Sequence, residues 1–168
     1  MPELMEHPLA TTSAWLADSA LSRTLQTVEW LVPAIQTAHI LAVAVVMSCV
    51  LLLSLGVFGL HGREQPLSRT VARFVPGIRI GLPVLLVTGV LMITAEPDRA
   101  LPNSAFQLKM ALLLAAAVVT AAYLRGLRRS PAGGVPPTLA VRVTAGTALG
   151  LWVAVLVAGR WIAYTLSR

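Results

Sequence analysis

The chain has 168 residues, 57% hydrophobic and only 12% charged, with a mean hydropathy of +0.79. Soluble domains carry roughly 25% charged residues, so a water-soluble fold is excluded, and lipid must cover part of this apolar surface. The formal charge of +6 then reads as membrane-flanking basic residues, and no nucleic-acid partner is expected. The single cysteine, Cys49, rules out an intrachain disulfide, and no CxxC or CxxH spacing is present. The first 28 residues hold Glu3, Glu6 and Asp18 and no basic residue before Arg23. A signal peptide needs a basic start and a short apolar core, so no cleavage is expected.

Residues 1–10, with Pro2 and Pro8, read as a loose tail. Over 11–28, Trp15, Leu16, Leu21, Leu25 and Val28 fall on one side, with Asp18, Ser22 and Gln26 opposite. Thr12 or Ser13 is placed to cap this segment, and an amphipathic helix on the membrane surface is expected. Residues 30–62 contain no Asp, Glu, Lys or Arg, a run longer than the roughly 20 residues a bilayer span requires. The first span is expected at about 31–60, with Pro33 in its first turn. The second is expected at about 76–95, with Arg79 snorkelling at its start, a kink at Pro83 and Glu96-Pro97-Asp98 closing it. The third, about 104–124, must include Phe106 to Leu108, because the uncharged run after Lys109 is too short alone, and Lys109 then snorkels or pairs. Arginines and the breaker stretch SPAGGVPP fill 125–138, and the fourth span follows at about 139–164. The expected fold is all-α: an integral membrane four-helix bundle, residues 29–168, preceded by the 1–28 tail with its interfacial helix.

Charge gives the bundle a direction. Segment 60–79 carries Arg63, Arg69, Arg73 and Arg79, and segment 125–142 carries Arg125, Arg128, Arg129 and Arg142. Arg23, Arg99, Lys109, Arg160 and Arg168 fall on the other side. The positive-inside rule places loops 61–75 and 125–138 in the cytoplasm and both termini outside. Gly77-Ile-Arg-Ile-Gly81 and Gly146-Thr-Ala-Leu-Gly150 are small-xxx-small patterns that let helix backbones approach closely, either within one bundle or in a homodimer or membrane complex.

His39 is the sharpest candidate for chemistry. It lies about 10–13 Å into the first span, and ionisable residues at that depth usually turn inward. Gln36, His39, Val43, Met47, Val50 and Ser54 share its stripe. One reading is a haem, copper or quinone contact; the other is a neutral histidine bonded to a neighbouring helix. Bis-histidine haem ligation within one chain is disfavoured, since His61 is about 33 Å further along the same helix and His7 is in the tail. Met47, Met92 or Met110, or a second copy's histidine, would have to complete the set. Copper would draw on His39, Met47 and Cys49, yet Cys49 and Met47 point about 80° to opposite sides of His39 at about 100° per residue. Around the same end stand Glu29, Trp30, Lys109, Arg160, Trp161 and Tyr164. They are either an interfacial belt or a seat for an anionic head group. No phosphate loop, metalloprotease or nucleophile-elbow motif is present. All seven acids lie outside the apolar cores, which argues against proton-coupled transport.

The segment Trp30-Leu-Val-Pro33-Ala-Ile-Gln36-Thr-Ala-His39-Ile-Leu, closed by Val57-Phe58-Gly59-Leu60, resembles the first-helix signature of a family of small bacterial membrane proteins of unknown function. Thr88-Gly89, Asn103-x-x-Phe106-x-x-Lys109 and Gly159-Arg160-Trp161-Ile162-Ala163-Tyr164 match as well. The family is similar in layout to the membrane part of the copper-resistance D proteins, and distantly to membrane b-type cytochromes. The resemblance singles out His39, Lys109 and Arg160, implies a bacterial inner-membrane protein, and brings haem b or copper into view. An Asp-x-Arg-type pair common in the family's exit segment is replaced here by Ser54-Leu55-Gly56-Val57. Three functions stay open: a non-enzymatic membrane protein or subunit, a haem- or copper-binding electron-transfer protein using His39, and a metal or small-solute transporter. The candidate cofactor-binding residues are His39, Gln36, Met47, Lys109, Arg160 and Tyr164, with His39 also the candidate metal ligand.

Overall fold

The computed structural model describes residues 8–60, 66–97, 101, 103–129 and 137–165; for 8–11, 129 and 161–165 it describes the backbone alone. These residues form six helices and no strand: α1 (Pro8–Ala17), α2 (Ala20–Thr27), α3 (Leu31–Val57), α4 (Leu67–Ala95), α5 (Ser104–Arg129) and α6 (Leu139–Thr165). The last four are long and apolar enough to cross a membrane. At 1.5 Å per residue each rises about 40 Å, more than the hydrocarbon core demands. Ile40, Leu41, Ile80, Leu86, Leu114, Val118 and Val157 stand exposed around them, the apolar girdle that lipid covers. His7, His61, Arg63, Arg99, Arg168 and the breaker stretch at 130–136 lie outside the described residues.

The helix ends follow local chemistry. Gly59, at φ +71°, is the left-handed residue that closes α3. Its N–H bonds the Gly56 carbonyl and that of Leu60 reaches back to Leu55, a Schellman cap. The glycine of the Val57-Phe58-Gly59-Leu60 exit is therefore a helix stop. Asn103 Oδ1 accepts from the N–H groups of Ala105 and Phe106 and caps α5. Helix α4 starts at Leu67, nine residues before the expected start of its span, and continues through Pro76 and Pro83. Arg69 and Arg73, assigned to a loop from their charge, stand on that helix, because a helix that outruns the hydrocarbon carries charges on its exposed first turns; Arg79, expected within the span, is exposed as well.

Packing is by hairpins. α3 pairs with α4, α5 pairs with α6, and the hairpins meet along α3 and α6. Gly77 and Gly81 sit at the first of these contacts. A Cβ on Gly77 would lie 2.6 Å from Cys49 Sγ, and one on Gly81 2.5 Å from Val46 Cγ2, so both glycines set the closeness of α3 to α4. Gly146 and Gly150 are exposed; a Cβ at Gly150 meets nothing within 4 Å. The core is filled by Val46, Val50, Leu53, Ile78, Tyr123 and Trp152, all essentially buried. Trp152 Nε1 donates to Thr120 Oγ1 at 3.0 Å, whereas the buried Tyr123 hydroxyl lies near that of Ser54 but makes no hydrogen bond within 3.5 Å among the described residues.

The N-terminal segment corrects the sequence reading. It is two short helices broken at Asp18-Ser19, where Ser19 Oγ caps α2 by accepting from Ser22 N–H. The apolar side does not face the protein: Trp15 is 74% and Leu21 50% exposed, while Ser22 is 0% and Leu25 3% exposed. Gln26 Nε2, on the polar side, donates to Ser22 Oγ and to the Ala95 carbonyl at the end of α4. A helix end leaves carbonyls without intrahelical donors, and that unmet acceptor draws the polar side of α2 inward.

Candidate functional site

Four helices bring His39, Thr88, Lys109 and Gly159 to one level. They lie about 12, 10, 8 and 9 Å from the helix ends at Leu31, Ala95, Ser104 and Thr165, at 1.5 Å per residue. The motif residues of all four spans thus share one end of the bundle.

His39 is half-buried on α3. Its Nδ1 lies 2.8 Å from Thr88 Oγ1 on α4. The direction of this bond follows from the other partner of the hydroxyl. Thr88 Oγ1 is 2.6 Å from the Val84 carbonyl oxygen, which has no proton to give. The single hydroxyl proton must lie between those two oxygens, since two bare lone pairs would repel at that distance. Thr88 therefore accepts from His39, and Nδ1 carries the imidazole proton. In the neutral ring the lone pair is then on Nε2, and no described residue hydrogen-bonds that nitrogen. Gly89, next to Thr88, faces the ring; a Cβ there would stand 3.7 Å from His39 Cε1, an ordinary contact distance.

Lys109 is half-buried on α5 with its stem against α6. A Cβ at Gly159 would stand 3.6 Å from both its Cε and its Nζ. Among the described residues it makes no hydrogen bond or ion pair, so the pairing with Glu29 or Glu96 that its depth suggested is not formed.

The remaining candidates are dispersed. Gln36 is exposed on α3, three residues before His39. Met47 lies about 12 Å deeper along the helix, packed against the core. Arg160 is exposed on α6 at the same end. Tyr164 is on the helical backbone of α6, and its side chain lies outside the described residues. Cys49 faces Gly77 on α4, and no cluster of three or more His, Cys, Asp or Glu residues occurs among the described residues. Thr88 and Gly159 carry no sequence signal of their own beyond belonging to the matched motifs. A threonine in a spanning helix ordinarily bonds its own i−4 carbonyl, and only the fold shows that Thr88 also accepts from α3.

No curated protein and no solved structure matches the chain. Residues 15–165 match the model of a family of unknown function, DUF6644. The match spans all four crossing helices and every motif gathered at this end of the bundle, and the chain belongs to that family.

Proposed function

We propose that the protein is a non-enzymatic membrane subunit that holds the His39 imidazole ready for a group supplied from outside the chain. The carrying observation is the bond to Thr88, which assigns the proton to Nδ1 and leaves Nε2 as a bare acceptor. Histidines that ligate a metal are commonly fixed in this way, one nitrogen donating to a protein acceptor and the other turned to the ligand. A lone pair facing hydrocarbon gains nothing unless something meets it.

The second reading, favoured by that same open Nε2, is haem b. His39 would supply one axial ligand and another copy or a partner subunit the second. The similarity in layout to the copper-resistance D membrane part and to b-type cytochromes supports it. Copper has less support, because Cys49 faces α4 and Met47 is buried two turns deeper. Transport has no acid within the apolar cores to rest on.

The test is an absorption spectrum of the full chain purified in mild detergent, before and after addition of haemin. A Soret band that is lost in His39→Ala and retained in Thr88→Ser is expected. A protein that stays colourless after haemin is added overturns the haem reading and leaves His39 as a pin between α3 and α4. We further place the protein in the bacterial inner membrane with segments 61–75 and 125–138, helix ends included, cytoplasmic, on the strength of the arginine asymmetry. Labelling of a cysteine introduced at Ser130 from the outer face would reverse that orientation.

A further inference from the structure

We infer that Lys109 and the groove beside it form a site for an anionic phospholipid, its phosphate on the ammonium and one acyl chain between α5 and α6. A cation this far into a spanning helix is held by an anion or reaches for the headgroup water. Among the described residues no anion holds Lys109. Its amine lies against α6, where the absence of a side chain at Gly159 leaves room for it. No described acid binds it. His39, which donates to Thr88, is neutral or cationic and never anionic, so it supplies no compensating charge.

An apolar groove lies at the level of this amine. The residues next in sequence to Lys109 and Gly159, Leu108 and Ala158, line a groove of about 480 Å³ between α5 and α6, together with Ala105, Leu112, Gly150 and Val157. The groove runs from the level of the amine toward the middle of the bundle, the direction an acyl chain takes from its headgroup. Its lining carries no charge. The charges described at this level, Lys109 and Arg160, are both positive, which selects an anionic lipid over a zwitterionic one. The site shares its end of the bundle with His39 but does not depend on what His39 binds.

The experiment is native mass spectrometry of the full chain released from bilayers of phosphatidylcholine mixed with phosphatidylglycerol. Retention of phosphatidylglycerol over phosphatidylcholine is expected for the wild type and for Lys109→Arg. Lys109→Gln loses that preference by about tenfold, the worth of one charge-assisted hydrogen bond. Gly150→Leu, at a position where a side chain meets nothing within 4 Å, obstructs the groove and lowers retention of both lipids. His39→Ala leaves the preference intact, which keeps this outcome separate from that of the spectrum. Equal retention of the two lipids by the wild type overturns the site. So does a Lys109→Gln variant that keeps the lipid preference and instead weakens haemin relative to haem dimethyl ester; the anion is then a cofactor carboxylate.

Discussion

The direction of the His39–Thr88 hydrogen bond can be tested by Thr88→Val. The substitution keeps the shape of the side chain and removes its only oxygen. The native bond is 2.8 Å long and joins a half-buried ring to a hydroxyl that is 8% exposed. Such a neutral bond contributes about 0.5–1.5 kcal/mol in water, and side-chain bonds between membrane helices average about 0.6 kcal/mol. The second bond of the hydroxyl, to Val84, is a local back-bond onto a carbonyl of the same helix, and its loss costs little. The net destabilisation expected is about 1 kcal/mol, read from unfolding of the protein in mixed micelles. The sharper readout is ¹⁵N NMR of histidine-labelled protein in bilayers, with the His39 signals assigned through His39→Gln. Wild type and Thr88→Ser show a protonated Nδ1 and a bare Nε2. Thr88→Val, with no acceptor left for Nδ1–H, shows both tautomers. A wild-type spectrum with the proton on Nε2 refutes the reasoning, because Thr88 would then be the donor and Nε2 would not be open.

Two further outcomes follow from the packing. Gly81→Ala drives a Cβ to 2.5 Å from Val46 Cγ2 and should cost about 1–3 kcal/mol as an overpacking change, with part of it recovered by Val46→Ala. Gly150→Ala should change stability by less than about 0.5 kcal/mol, and equal losses at the two sites in the same unfolding assay contradict the contacts described. Tyr123→Phe removes a buried hydroxyl that makes no hydrogen bond within 3.5 Å among the described residues, so its melting temperature should equal or exceed that of the wild type; a loss of about 2 kcal/mol or more would reveal a partner, the nearby Ser54 hydroxyl or a trapped water.

The spanning helices were legible because lipid imposes a simple rule: long runs without charge. The same rule misplaced the start of α4, since it treats every arginine as a boundary. Arg69 and Arg73 belong to a helix that simply outruns the hydrocarbon. The inward turn of His39 was legible from its depth, but its partner was not. Nothing in helical periodicity says which threonine of α4 meets α3, and the tautomer follows only from two distances at one oxygen. The docking of α2 onto α4 was illegible for a related reason. A sequence shows which side of a helix is polar, and the Ala95 carbonyl that attracts this side is 69 residues away.

That separation orders events during synthesis. Gln26 leaves the ribosome before any spanning helix, yet its seat at the end of α4 is completed only after 69 further residues. At ordinary rates of translation the wait is roughly 3–14 s. Through that interval α2 has its exposed Trp15 and Leu21 neighbours to hold it at the bilayer but no protein surface to hold its glutamine. The first hairpin must therefore assemble before the N-terminal segment can dock, and the segment serves as a latch on a finished hairpin rather than as a template for it.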